Sequence, residues 1–412
     1  MGHYGKRAVD RCNYLAQDSF SEIKGILFRF WLGDAYRRAV KQVAHWMEEA
    51  GMTVRYDAMG SIIGRYEATH RDAPALVIGS HLDTVKNGGA FDGILGVMLG
   101  IEVVAALRDR QQRYPFAIEV VGFGDEEGSR FPAPMFSSRA MAGSLEAVPD
   151  GITDERGMSV AQAMEAFGLD PQKVTEAARH KKDVLAFIEA HIEQGPCIEA
   201  EDGAVAVVTA IASQIKQRVV LRGQGSHAGT TPMGKRRDAL AGAAEMIGFV
   251  EQCASQRRSN AVATVGQLMV APNVSNVIAQ DVWFSLDIRA ETDEERDVLA
   301  HDIQIRCRES AKRRNLDISF EATQYYAASA CDSILMRCME QAVETVTGRP
   351  AQKLLSGAGH DAMALAALCP TSMLFIRSPN GLSHHPDEAV RVCDVETAHQ
   401  ALMTFVEEFA AL

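Results

Sequence analysis

Histidines and carboxylates gather in five short segments of this 412-residue chain, most of them where an apolar, strand-like run gives way to a loop. In Gly79-Ser-His-Leu-Asp-Thr-Val85, His81 stands just past such a run, where the C-terminal ends of parallel strands place ligand sites. Asp83, two residues on, is spaced to accept the other imidazole N–H, although a capped turn fits the same residues. Gly88-Gly-Ala-Phe-Asp-Gly93 puts Asp92 in a glycine-rich loop whose backbone can approach an ion closely. Gly124-Asp-Glu-Glu-Gly-Ser-Arg-Phe131 sets Asp125, Glu126 and Glu127 side by side. Three mutually repelling carboxylates call for a positive partner, unless the turn is simply solvated. His191-Ile-Glu-Gln-Gly-Pro196 and Ser378-Pro-Asn-Gly-Leu-Ser-His-His-Pro386 each add a histidine-bearing loop. Any one of these histidines alone reads as structural. Together, the five loops offer mixed imidazole and carboxylate donors, which suit Zn²⁺, Mn²⁺, Co²⁺ or Ni²⁺ better than Ca²⁺ or Mg²⁺.

The elements that must position these loops follow from the apolar pattern. Ala35, Ala39, Val43 and Met47 recur at helical spacing from Asp34 to the stop at Gly51, predicting an opening helix. Ala75–Gly79 and Ala117–Phe123 read as buried strands around a helical stretch from Gly96 to Arg108, a βαβ rhythm that predicts a mostly parallel sheet in an α/β fold. After Ile211 the pattern changes. A strand at Arg218–Arg222, a helix at Asp238–Cys253, strands around Ala261–Val270 and Val282–Arg289, a helix at Asp293–Arg313 and a strand near Leu316–Phe320 give the β-α-β-β-α-β order of a ferredoxin-like α+β domain. The expected organisation is therefore residues 1–211 and 329–412 as two parts of one α/β domain, with 212–328 inserted.

Composition narrows the function classes. Lys+Arg 42 against Asp+Glu 54 gives a net charge of −12, with no basic cluster, which argues against nucleic acid and anionic membrane as partners. The eight cysteines are scattered without a CxxC pair, and no run approaches the roughly 18 apolar residues of a spanning helix. With no apolar leader at the N-terminus, a reduced, cytoplasmic location is expected.

Seven motifs, GSHLDTV, GGAFDG, GDEEGSRF, HIEQGP, SHAGTTPM, SGAGHDAM and GLSHHP, follow in this order from Gly79 to Pro386. They resemble the ureido and carbamoyl amidohydrolases of the M20 metallopeptidase clan, which include allantoate amidohydrolases and N-carbamoyl-L-amino-acid hydrolases. The resemblance implies a metallohydrolase catalytic domain, an inserted lid domain that makes a homodimer, and two divalent ions per subunit, Zn²⁺ or Mn²⁺ with Co²⁺ or Ni²⁺ as alternatives. It implies that His81 and His191 hold one ion, Glu127 and His384 the other, and that Asp92 bridges them. Glu126 is the free carboxylate. The family pattern selects His384 over its neighbour His385, with an exchange of the two as the alternative, and it implies a cis Asp92–Gly93 peptide.

Such a set predicts metal-assisted hydrolysis of a planar C–N bond, with Glu126 moving the proton. Peptidases of the clan usually carry a carboxylate where His191 stands, so this position favours ureido substrates. By the same resemblance His227 stabilises an oxyanion, Asn276 and Arg289 bind substrate, with Arg289 as a carboxylate fork, and Gln194 meets the ureido group. A strand-end surface cation is the alternative for Arg289. Gly359, in the Gly357-Ala-Gly359 turn, supplies backbone donors or merely enters a helix. In Gln214-Ile-Lys-Gln217 some allantoate amidohydrolases carry paired arginines and carbamoylases an apolar pair, so Lys216 is intermediate, a point charge without a fork. Allantoate is the expected substrate. An N-carbamoyl-L-amino acid, a peptide, and a catalytically silent binding protein are the other readings.

Overall fold

The computed structural model describes residues 3–257 and 259–412. The chain forms two compact units, one running up to Thr209 and including Cys331–Leu354 and Gly359–Leu412, the other comprising Ala210–Ala330 with Leu355–Ala358. The sequence-based boundaries at 211/212 and 328/329 lie within two residues of these, but the short Leu355–Ala358 segment joins the second unit.

Following the chain, the first unit supplies β1 (Thr53–Tyr56), β2 (Ile62–Tyr66), β3 (Ala75–His81), β4 (Ala117–Phe123), β5 (Val184–Ile192) and β6 (Val205–Ile211). The second supplies β7 (Ser213–Arg222), β8 (Val262–Thr264), β9 (Leu268–Ala271), β10 (Asp281–Ala290), β11 (Asp317–Tyr326) and β12 (Ser329–Ala330). β13 (Gln352–Ser356) and β14 (Thr371–Ile376) follow.

In the first unit the order is β1-β2-β4-β3-β5-β14-β6. The centre, β4-β3-β5-β14, is parallel, and β1, β2 and β6 join it antiparallel. Every residue of β3, β4 and β14 is buried, as expected of parallel strands covered on both faces. The helix Ile94–Asp109 between β3 and β4 is apolar almost all round and buried from Ile94 to Leu107. Truncating one of its core residues, such as Ile101→Ala, would cost about 2–5 kcal/mol. Because the four central strands run the same way, the loops after His81, Phe123, Ile192 and Ile376 emerge at one edge of the sheet.

The predicted helix from Asp34 is present at Asp34–Glu49, but it does not open the fold. A helix at Tyr4–Leu15 precedes it, burying Gly5, Ala8, Val9, Cys12 and Leu15. This face repeats at helical spacing through Ala8, Val9, Cys12 and Leu15, so the period is present in the sequence although no helix was expected there. It docks through Arg7 and Arg11, which both reach the buried carboxylate of Glu102.

In the second unit all pairings are antiparallel, in the order β11-β7-β10-β8, with β9 also on β10. β10 alternates strictly: Val282, Phe284, Leu286 and Ile288 are buried with Leu299 and Ile303 of the helix Asp293–Arg314, leaving Trp283, Ser285, Asp287 and Arg289 on the other face. The single strand expected around Ala261–Val270 is broken into β8 and β9. There the Ser285 hydroxyl accepts the N–H groups of Gly266 and Gln267, interrupting the ladder. β11 runs on to Tyr326 through an irregularity between Ala322 and Gln324. Among the described residues, no helix is long and apolar enough to cross a membrane.

Candidate metal centre

The edge where the four parallel strands end gathers the predicted ligands of the first unit. His81 is the last residue of β3 and His191 is the penultimate residue of β5. Glu126 and Glu127 lie in the loop after β4, Asp92 in the loop before the helix Ile94–Asp109, and His384 in the loop after β14. His191 Nε2 lies 3.1 Å from Asp92 Oδ1, and His384 Nε2 lies 3.0 Å from Asp92 Oδ2. Asp92 therefore stands between two imidazoles that are far apart in the sequence. His81 Nε2 is 4.0 Å from Asp92 and 3.8 Å from Glu126, while His384 Nε2 is 3.6 Å from Glu127. Three donor groups result: His81, Asp92, His191; His81, Glu126, Glu127; and Asp92, Glu127, His384. His385 instead turns its Nδ1 to accept the Asp387 N–H.

Local backbone fixes these side chains. The Asp83 carbonyl oxygen lies 3.1 Å from His81 Nδ1, and the Ile192 carbonyl 2.9 Å from His191 Nδ1. Each carbonyl accepts an Nδ1–H and leaves Nε2 aimed into the cluster, the tautomer that a ligating histidine needs. Asp83 does more than was expected of it: its two carboxylate oxygens accept the N–H groups of Glu126 and Glu127, at 3.2 and 3.1 Å. Asp125, Gln194 and His384 all adopt positive φ, between 55° and 67°, the left-handed region that most non-glycine residues avoid.

The Asp92–Gly93 peptide corrects an expectation. Among the described residues only Ala271–Pro272 is cis. Gly93 makes the turn through φ +74° instead, with the Ile94 N–H donating to the Asp92 carbonyl at 2.9 Å. A Cβ on Gly93 would lie 2.3 Å from the His81 ring, so only glycine fits.

The electrostatics are those of an acid-rich pocket. Burial pushes Glu126 well above the usual range, with His81 opposing it and the neighbouring carboxylates adding to it, and burial followed by Asp92 pushes Glu127 up to about 8. Burial works against the charge on Asp92, but His191 and His384 outweigh it and hold this carboxyl well below its ordinary value. His384 is pushed up to about 9, chiefly by its hydrogen bond to Asp92. The cluster thus draws positive charge onto its imidazoles. Glu127 Oε1 is buried without a hydrogen-bond partner beside this excess of carboxylates, and a divalent cation satisfies both demands. The donor set fits the group.

Two further residues crowd this centre without an evident signal in the sequence. The His360 ring packs edge-on against His191, with centroids 4.5 Å apart, and Asp361 is fully buried beside it. Both lie in the SGAGHDAM motif, which marks the place but not the contact. Gln194 Nε2 donates to both Asp92 oxygens, at 3.3 and 3.1 Å. Gly359 lies against Glu126, since a Cβ there would stand 3.7 Å from Glu126 Oε1.

In the second unit, His227 and Asn276 come together: His227 bridges to Val277, and the Ala228 N–H donates to the Asn276 carbonyl at 2.9 Å. Both side chains are exposed. His227 Nδ1 accepts the Gly229 N–H at 3.1 Å, which leaves Nε2 as an outward donor in the neutral ring. Arg289 and Lys216 share the outer face of the sheet, in a groove of about 720 Å³ with Arg218, Trp283 and Asp287. Arg289 is not a free fork. Its Nε and Nη2 donate to Asp287 at 3.1 and 2.9 Å, and Nη1 donates to the Gly357 carbonyl. Gln214 also donates to Asp287; burial works against that carboxylate's charge, but Arg289 and Gln214 keep its pKa below the ordinary value.

Residues 77–408 match the model of Peptidase family M20/M25/M40. An N-carbamoyl-L-amino acid amidohydrolase of Geobacillus stearothermophilus is 44% identical, over 85% of this chain and 86% of its own. A probable allantoate deiminase of Oryza sativa subsp. japonica is 35% identical, over 95% of this chain and 86% of its own. A crystal structure of an amidase of the hydantoinase/carbamoylase family from Burkholderia multivorans superposes with a TM-score of 0.89 at 32% identity, covering 98% of this chain and 97% of that one. With its parallel-strand edge, its clustered imidazoles and carboxylates and these relatives, the chain is a hydrolase that belongs to Peptidase family M20/M25/M40.

Proposed function

We propose that this chain hydrolyses the ureido C–N bond of a small carboxylate, with allantoate as the first substrate to test. The observation that carries the reading is the buried convergence of His81, Asp92, Glu127, His191 and His384 around an acid-rich pocket, with Glu126 beside it. In this reading His81 and His191 hold one divalent ion, Glu127 and His384 the other, and Asp92 both, with Zn²⁺ or Mn²⁺ the favoured metals. When bound, such ions polarise a carbonyl and acidify water. Glu126, as the carboxylate, takes a proton from water and passes it to the leaving nitrogen, and burial that raises its proton affinity makes it the stronger base. Gln194 contacts the ureido group, Gly359 leaves room beside Glu126, and His227 offers Nε2–H to the developing oxyanion, next to Asn276. Arg289 recognises the substrate carboxylate, already oriented by Asp287, with Lys216 adding positive charge.

The second reading is an N-carbamoyl-L-amino acid substrate. It is favoured by the higher identity to the Geobacillus relative and by the absence of an arginine fork at Lys216. We also propose a homodimer formed through the second unit, where Val262, Leu268 and Met269 on β8 and β9 are exposed, and a cytoplasmic location, in keeping with eight free cysteines. The deciding experiment is a panel of allantoate, ureidoglycolate, N-carbamoyl-β-alanine, N-carbamoyl-L-amino acids and dipeptides, with added Mn²⁺, Zn²⁺, Co²⁺ or Ni²⁺ and detection of ammonia or free amine. Ammonia from allantoate is the expected result. Dipeptide hydrolysis alone, or binding without turnover, would overturn the reading.

A further inference from the structure

Asp92 and His384 approach to 3.0 Å although 291 residues separate Asp92 from the adjoining Ser383. The side chain that holds the two loops together is Glu388. It is buried, 6% exposed, and no predicted role calls for it. Its Oε1 accepts two backbone N–H groups of the ligand loop, from Phe91 at 2.9 Å and from Asp92 itself at 3.1 Å. Its Oε2 lies 3.1 Å from the Ser383 hydroxyl, which is also 3.3 Å from Asp92 Oδ2. The Glu388 N–H closes its own loop by donating to the His385 carbonyl at 3.0 Å. The approach is tight, since a Cβ on Gly89 would lie 2.3 Å from the Glu388 side chain. Gly89 leaves space for this carboxylate.

We infer that Glu388 is a positioning residue: by bracketing the Phe91–Asp92 backbone to the Ser383–Glu388 turn, it sets the distance between Asp92 and His384 and so creates the second ion position. The argument is geometric. The Asp92–His384 contact joins side chains only, whereas Glu388 holds the backbone N–H groups of Phe91 and Asp92 from a residue of the other loop. One carboxylate that accepts from both loops fixes them to each other before any ion arrives, and preorganised ligands bind more tightly because less ordering remains to be done on binding. Glu388 itself points its oxygens at N–H and O–H donors, so its place is behind the ligands rather than among them.

The inference rests on reading the cluster as a two-ion centre, and its test separates the two ideas. Chelator-stripped wild type, Glu388→Ala and Glu388→Gln are titrated with Zn²⁺ against a chromophoric chelator, and their thermal unfolding is followed in parallel. Wild type is expected to bind two ions. Glu388→Ala is expected to keep one and to bind the second about 10–100-fold more weakly. Glu388→Gln retains an oxygen for the two backbone donors and gains an N–H₂ for Ser383, so it is expected to recover most of that affinity. Wild type without ion uptake would overturn both ideas. Two-ion binding by wild type with unchanged affinities in folded Glu388→Ala would overturn the role of Glu388 alone. A Gln variant as weak as the Ala variant would show that charge, not the bracket, matters, and would overturn it too. Should Glu388→Ala not fold, Glu388→Gln and Ser383→Ala carry the test: full two-ion affinity in Glu388→Gln supports the bracket, and a loss there, with Ser383→Ala unchanged, refutes it.

Discussion

In the first unit His81, Asp92 and His191 are almost wholly buried, and their ring nitrogens and oxygens face one another across 3–4 Å. In the second unit His227 and Asn276 are exposed, and Arg289 has its fork taken up by Asp287 and Gly357. The difference teaches what each set is built for. Burying carboxylates and imidazoles together is costly unless they are compensated, so the first set makes sense around a cation that it must hold strongly. The second set keeps its polar groups hydrated or internally paired, an arrangement that can exchange partners at low cost, as substrate recognition requires. Its β10 buries one face in a core and leaves Asp287 and Arg289 on the other, whereas the central strands of the first unit are buried on both faces and present the clustered donors only at and beyond their ends.

The comparison breaks most visibly at Asp92. Asp92→Ala removes the carboxylate that faces both His191 and His384, so both ions should become labile and turnover should vanish. Elemental analysis after gel filtration checks this, and full occupancy would show that Asp92 is not the bridge.

A smaller but still large effect is expected at Glu126. Glu126→Gln keeps the volume and removes the base, so kcat should fall by about 10²–10⁴-fold while metal content stays at the wild-type level. If metal were lost as well, Glu126 would belong among the ligands.

Arg289 sharpens the contrast from the other side. Arg289→Lys removes both the guanidinium that Asp287 orients and its remaining outward Nη N–H groups, and should cost about 2–4 kcal/mol in kcat/KM with metal content unaffected. On an amide analogue lacking the carboxylate, the variant should be little worse than wild type. Equal losses on acid and amide would mean that Arg289 serves the Asp287 and Gly357 contacts of its own unit instead.

The smallest expected effect is in protons. Glu127, pushed up to about 8, and His384, pushed up to about 9, both hold protons at pH 7 in the metal-free chain. Both pKa values lie above their unfolded values of about 4.5 and 6.5. The stability each contributes is therefore fully present below the unfolded value and lost as pH rises through the folded one. Ion binding needs Glu127 ionised and His384 neutral, so Zn²⁺ uptake at pH 7 should release protons, and affinity should climb until about pH 9. Calorimetry in two buffers of different ionisation heat measures the release. Uptake without it would remove these two residues from the centre.

Much of this was legible in one dimension. Short apolar runs ending in His81, before Glu126 and Glu127, and in His191 announce buried parallel strands with donors at their C-terminal ends, because a strand's burial is written in its own residues. The β-α-β-β-α-β run of the second unit was legible for the same reason, including the strand at Val282–Arg289 within β10. The N-terminal helix carries its period in Ala8, Val9, Cys12 and Leu15 and went without a prediction all the same, whereas its docking on Glu102 is a long-range event that no local pattern contains.

What the sequence determined, then, is the chemistry available and the local elements that present it: residue type and apolar periodicity act over a few neighbours. Only the tertiary structure decided which donors meet. That Asp92 faces His384, that Glu388 reaches back to the Asp92 amide, and that Asp287 engages Arg289 depend on loop packing and on strand register. A one-residue change in register would turn Arg289 to the core face, and a small shift of either loop would part Asp92 from His384. Such distances come from close packing of the whole chain, which no stretch of a few residues contains.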